Sequence, residues 1–177
     1  IDGKISAIKI AREHSIPFFG ICLGMQCAVV EFARNVLNLN GASSTEIGNS
    51  PPHPVIDIME EQKNIKKIGG TMRLGAYTCL LEQDSLASKV YGQHQISERH
   101  RHRYEFNNDY LFRFKEAGMM ASGINKETGL VEIMELKNHP WFIATQFHPE
   151  LKSTVINPHP LFVAFVDAAL TQKKSIN

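Results

Sequence analysis

The stretch PFFGICLGMQ, residues 17 to 26, passes from a strand pattern into a helix pattern with no loop between them. The run Pro17 to Ile21 is apolar on both faces, which predicts a central parallel strand. Met25, Val29, Phe32 and Val36 then recur at steps of four, three and four, the spacing of one helical face. A strand that turns at once into a helix is the unit of α/β architecture, and the rest of the chain alternates in the same way. The spacing predicts a helix over Lys4 to His14 and a loop from Leu39 to Pro54. It predicts a strand over Val55 to Met59, a charged turn over Glu60 to Lys67 and a short helix near Ser85 to Tyr91. Asn108 reads as the N-cap of a helix ending before Gly118, and strands fit Met119 to Ile124, Leu130 to Leu136 and Trp141 to Phe147. The last helix is expected to begin at Pro160 and to turn Leu161, Phe162, Phe165, Val166 and Ala169 to the core. The expectation is one α/β three-layer domain over residues 1–177.

Composition narrows the function classes. Nineteen basic and eighteen acidic residues leave a net charge of +1, so no overall field draws in nucleic acid or an anionic membrane. No apolar run approaches the roughly 20 residues of a membrane helix. Three cysteines, Cys22, Cys27 and Cys79, form no CxxC pair and fit a reducing cytoplasm better than a disulfide scaffold. The chain opens on Ile1-Asp2-Gly3, and the expectation is a fragment of a longer protein.

Gly20-Ile21-Cys22-Leu23-Gly24 is G-x-C-x-G, the thiol form of a nucleophile elbow, in which small flanking residues permit a sharp turn that exposes the side chain. A helix starting after Cys22 points its positive end at the sulfur and favours thiolate, and the Leu23 amide is placed to hold an oxyanion. The alternative is a small buried core cysteine. A nucleophilic cysteine needs a base. Of the eight histidines, His14, His53, His139 and His159 fall at helix ends or beside proline, where exposure explains them. His148 differs, because it ends the strand WFIATQF and precedes Pro149 and Glu150. Proline pushes its predecessor toward an extended conformation, in which residues i and i+2 face the same side. Glu150 can then set the tautomer of His148, completing a Cys22–His148–Glu150 triad; read alone, HPE is a surface turn.

The motifs GICLGMQ and FHPE resemble the class I (triad) glutamine amidotransferases. GMQCAVVEFARNVL, GGTMRLG, ERHRHRYEFNN and NHPWFIATQFHPE narrow the resemblance to the amidotransferase domains of the CTP synthase family. That resemblance implies a flavodoxin-like fold with a mainly parallel central sheet. It implies that Cys22 attacks the side-chain amide of L-glutamine to give a thioester and ammonia, with His148 as acid and base and Glu150 orienting it. Gln26, Glu46 and Arg103 correspond to residues that bind glutamine: Glu46 its ammonium group, Arg103 its α-carboxylate, with Arg101 a close rival on the same strand face. No cofactor and no metal is implied for this domain. ATP and Mg are implied for a synthetase domain of the same polypeptide that aminates UTP, GTP as effector, and a homotetramer for the full enzyme. The family's upstream glycine-rich oxyanion strand and the synthetase domain are expected to lie outside this chain, and Leu151 stands where an aromatic usually follows HPE.

Alternatives remain at this point. ERHRHRYE, Glu98 to Glu105, carries two histidines spaced for a metal and interleaved Arg, His and Tyr suited to nucleic acid. Its simplest reading is an amphipathic strand with His100, His102 and Tyr104 on one face and Arg101, Arg103 and Glu105 on the other. GGTMRLG lacks the Lys-Ser/Thr of a phosphate loop, and in the resemblance it lies near the synthetase domain. An amidotransferase of the GMP synthetase type and a silent regulatory domain are the competing functions.

Overall fold

The computed structural model describes residues 1–48, 50–58 and 72–176. In chain order the elements are α1 (Asp2–Glu13), β1 (Phe18–Ile21), α2 (Leu23–Asn35), β2 (Ala42–Ser44), β3 (His53–Ile58), β4 (Arg73–Leu81) and α3 (Leu86–Tyr91). There follow β5 (Gln95–His102), β6 (Tyr104–Phe106), α4 (Leu111–Glu116), β7 (Met119–Asn125), β8 (Val131–Leu136), β9 (Phe142–Thr145) and α5 (Pro160–Ile176). Glu60 to Lys67, Met59 and the first three residues of GGTMRLG lie outside the described residues.

Among the described residues the main sheet runs β1-β9-β8-β7-β4-β5, and a small sheet runs β2-β3-β6. The main sheet is mixed, which corrects the expected mainly parallel one: β1 and β9 pair parallel, while β9–β8, β8–β7, β7–β4 and β4–β5 are antiparallel. Strands β7, β8 and β9 succeed one another through short turns, and strands joined that tightly run antiparallel. Strand β1, expected in the centre, is a terminal strand among the described residues, where it pairs with β9 alone. The expected loop before Pro54 contains β2 and the start of β3.

Strand alternation sends the sheet's side chains into two cores. Phe142, Ala144, Met134 and Val131 face one side with Ile5 and Ile8 of α1, most of α2, Val55 and Ile56 of β3 and Phe114 of α4. Ile143, Ile133, Cys79 and Phe147 face the other, against Ala87 of α3 and Leu161 of α5. Burial on both faces explains why β9 is apolar throughout. Helix α2 is buried from Met25 to Ala33, including Glu31, whose carboxylate accepts two short bonds from Arg12 of α1. Helix α3 begins where expected, because Ser85 caps it with a bond from Ser88 N–H. The cap before the next helical segment is Asn107 rather than Asn108, accepting from Asp109 N–H. On α5 the expected core face is displaced: Leu161, Phe165 and Ala168 pack inward, while Val163, Val166, Ala169 and Leu170 stay exposed. Among the described residues no helix is long and apolar enough to cross a membrane.

Candidate active site

Cys22 sits between β1 and α2 with φ 50° and ψ −103°, a conformation that costs a side-chain-bearing residue ~1–3 kcal/mol. The neighbouring structure enforces it. The Cys22 amide donates to Thr145 O at 2.7 Å and holds the elbow to the end of β9, while Gln26 N–H returns to Cys22 O at 3.1 Å and starts the helix. A Cβ on Gly20 would meet the Gly24 carbonyl carbon and the Phe18 ring at 2.9 Å, so strand and helix close only over a glycine. At Gly24 nothing lies within 4 Å of such an atom, and that glycine is not required by space.

Three residues beyond β9, His148 Nδ1 lies 2.6 Å from Glu150 Oε1. The pairing follows from Pro149, which starts a 3-10 turn over Pro149–Lys152 and leaves His148 at φ −112° and ψ 85°. Among the described residues His148 Nε2 is buried and has no hydrogen-bond partner, so the nitrogen opposite Glu150 keeps its capacity for a proton. The parallel register Ile21↔Thr145 puts both segments at the carboxyl end of the main sheet's β1–β9 pair, the usual place for a ligand in an α/β sheet.

A cleft of about 310 Å³ opens beside the elbow. Cys22, Leu23, Gln26, Glu46, Arg101 and Arg103 all line it, so the expected nucleophile and glutamine-binding residues converge from three stretches of chain, while His148 and Glu150 are not among its lining residues. Glu46 is exposed on the turn after β2, where its amide donates to buried Ser44 Oγ at 3.1 Å. Arg103 occupies the break between β5 and β6 and is partly buried, whereas Arg101 is exposed. Gln26 is almost fully buried, and its side-chain amide donates to Tyr104 O at 3.2 Å and to Gln146 Oε1 at 3.4 Å. Gln146 in turn donates to Cys22 Sγ at 3.6 Å. Sequence reasoning missed Gln146, although a glutamine within the largely apolar run WFIATQF was a visible signal.

The resting state of Cys22 differs from expectation. Burial pushes the thiol up to about 11, and the carboxylates of Glu150, Glu105 and Glu46 add to the rise. The Leu23 amide pulls the other way, as the helix start predicts, but is outweighed. Cys22 therefore rests as a thiol and needs a base to react.

Beneath the site lies a buried charge cluster. Arg73 donates to Glu105 at 3.1 Å and to Glu132 at 2.8 Å, with its guanidinium 4.4 Å from the Tyr77 ring centroid. His100 Nδ1 and His102 Nε2 are 2.7 Å apart, and His102 Nδ1 meets Tyr104 O at 3.2 Å and Glu105 Oε1 at 3.4 Å. Both of those oxygens accept, which requires hydrogen on His102 Nδ1, then on His100 Nδ1, and leaves His100 Nε2 a bare acceptor. It faces Glu132 Oε2 at 3.4 Å, too loosely aligned for a hydrogen bond between the two. Burial agrees: it raises Glu132, raises Glu105 to about 8, and lowers His100 to about 2 and His102 to about 3. The strand break at Arg103 corrects the expected face assignment, because it returns Glu105 to the side of His100 and His102. His139 and His159, expected to be exposed, are buried as well.

A family model of class I glutamine amidotransferases matches residues 1–168. The CTP synthase of Cytophaga hutchinsonii is 64% identical over 169 residues, which cover 96% of this chain and 31% of that protein. The CTP synthase of Bacteroides thetaiotaomicron is 62% identical over 175 residues, 99% of this chain and 33% of that protein. The chain thus spans about a third of the length of the curated relatives it matches. Among solved structures, the glutaminase domain of CTPS from Trypanosoma brucei with bound acivicin superposes with a TM-score of 0.90 at 39% identity, over 96% of this chain and 66% of that one. A Thermoplasma acidophilum protein described as a GMP synthase subunit shares the fold at a TM-score of 0.60 and 20% identity, over 98% of this chain and 67% of that one.

Proposed function

We propose, from the premise that the chain belongs to the class I glutamine amidotransferase family, that it is the glutaminase domain of a CTP synthase. The observation that carries this reading is the placement of the Cys22 elbow and the His148–Glu150 pair at the ends of paired strands, beside a cleft that also receives Glu46 and Arg103. Relatives near 60% identity over almost the whole chain favour CTP synthase over the GMP synthetase type, whose likeness is one of fold.

In this mechanism Glu46 and Arg103 hold the ammonium and α-carboxylate of L-glutamine, and Gln26 lines the cleft between them and the thiol. His148 removes the proton of Cys22, and Sγ attacks the side-chain amide carbon. The developing oxyanion takes a bond from Leu23 N–H. His148 passes its proton to the leaving nitrogen, ammonia departs and a γ-glutamyl thioester remains. Water, deprotonated by His148, then attacks the thioester, and glutamate leaves as the cysteine recovers its proton. Glu150 holds the imidazole in the tautomer that both steps require.

The ammonia is consumed by a synthetase domain, proposed for the same polypeptide, in ATP- and Mg-dependent amination of UTP with GTP as effector; the complete enzyme is proposed to be a homotetramer. The short span of this chain relative to its relatives supports the larger polypeptide. The test is ammonia release from glutamine by the full-length protein with UTP, ATP and GTP present, beside Cys22→Ala. The variant is expected to release none while still forming CTP from free ammonia. Undiminished release from Cys22→Ala overturns the reading.

A further inference from the structure

The turn that carries Glu150 is short and largely solvent-facing. Within it, Leu151 N–H donates to His148 O at 3.1 Å and Ser153 N–H to Glu150 O at 3.4 Å. These bonds shape the turn but do not dock it on the domain. Docking comes from β5, at both ends. His148 N–H donates to Arg99 O at 2.8 Å, and Lys152 Nζ donates to Ser97 O at 2.7 Å and to Glu98 Oε1 at 3.3 Å.

Glu98 is suited to act as the fixed point. It is 1% exposed, and the same Oε1 accepts from Tyr91 Oη of α3 and from His159 Nε2, each at 3.1 Å. His159 is itself tied back, its amide donating to Ser153 Oγ at 3.0 Å, so helix α3, the segment after the turn and strand β5 all meet at one carboxylate. Lys152 brings a cation to a nearly dry carboxylate, where a charge-assisted bond is stronger than a neutral one. Strand β5 also carries Arg101 and ends beside Arg103, so the turn is referenced to the strand that lines the substrate cleft.

We infer that Lys152, held by Glu98, is a positioning residue for the triad: it fixes the turn on β5 and thereby fixes Glu150 against His148. This rests on the glutaminase reading above. Lys152 touches neither the thiol nor the cleft, and its effect falls on the rate of the covalent step rather than on glutamine binding. Displacements of about 1 Å outside the reacting groups can cost ~100-fold in rate, and loss of one of the two anchoring ends is expected to cost roughly 10-fold.

The experiment uses the full-length enzyme and follows a single turnover of glutamine by rapid quench, with Cys22→Ala as reference. Lys152→Met is expected to lower the rate constant for ammonia release roughly 10-fold, with the amplitude per chain, the KM for glutamine and CTP formation from free ammonia unchanged. Lys152→Arg is expected to restore most of the rate, and Glu98→Gln to repeat the loss. If Cys22→Ala is inactive but Lys152→Met keeps the parent rate constant, or loses amplitude alone, the positioning role is overturned and the glutaminase reading stands. An active Cys22→Ala overturns the glutaminase reading itself.

Discussion

Cys22, His148 and Glu150 stand at strand ends, partly exposed, on a tight elbow and a short turn that hydrogen bonds tie to the neighbouring strands. Arg73, His100, His102, Glu105 and Glu132 are drawn from four strands, lie buried, and are set by one another. The difference separates reactivity from stability. A side chain in the first group can change while the fold keeps its contacts, since the elbow and the turn are backbone devices. A side chain in the second leaves a charge or a hydrogen-bonding atom stranded away from water, and the fold bears the loss.

Variants can sharpen or break that contrast. The largest expected effect is Glu150→Gln, which keeps the shape of the turn but offers His148 the wrong partner. Glutaminase kcat in the full enzyme is expected to fall on the order of 10³–10⁴-fold, with thermal unfolding unmoved. A drop in melting temperature alongside would show that the turn is structural as well. Next comes Arg73→Met, which strips the cation from Glu105 and Glu132; denaturant unfolding is expected to show a loss of about 3–5 kcal/mol. A cost below about 1 kcal/mol would mean that the cluster tolerates an orphaned carboxyl.

The pH dependence of stability tests the same cluster more gently. Glu105 is raised to about 8 in the fold, so the folded state keeps a proton that the unfolded chain releases near its ordinary carboxylate range. That stabilisation is complete at acid pH and is lost as pH rises through about 8. His100 and His102 act with the opposite sign: lowered by burial, they favour the fold above the ordinary histidine range and lose that contribution as pH falls toward about 3. Between pH ~6.5 and ~8 only the carboxyl slope remains, and unfolding free energy is expected to decline by of order 1 kcal/mol per pH unit. Glu105→Gln should flatten it; an unchanged slope would place the titration elsewhere. The smallest effect is Gly24→Ala, in open space within α2, expected to raise stability by roughly 0.5–1 kcal/mol in the same unfolding assay. Destabilisation would show that the elbow needs both glycines.

The same contrast explains what could be read from the sequence. The elbow, the short helix near Ser85, the Pro160 start and the HPE pairing depend on residues within a few positions of one another, and all four form where the spacing puts them. Glu46 and Arg103 entered through family resemblance, and the fold brings both to the cleft beside Cys22. The mixed sheet, the burial of His139 and His159, the outward turn of Val166 and the return of Glu105 to the histidine face depend on which strands pair and where β5 breaks. No window of neighbouring residues contains that information, because a single-residue break reverses every later side chain.

The protonated state of the partly exposed Cys22 has a consequence for its reactivity. Burial holds the thiol well above its ordinary range, so little of it is ionised near neutral pH. Peroxides and simple alkylating agents attack thiolates, so they find little to react with in the idle enzyme. In the proposed mechanism the thiol becomes a target only when His148 takes its proton in the presence of an amide to attack. On that mechanism an effective covalent inhibitor is expected to look like an amino acid before it behaves like an electrophile.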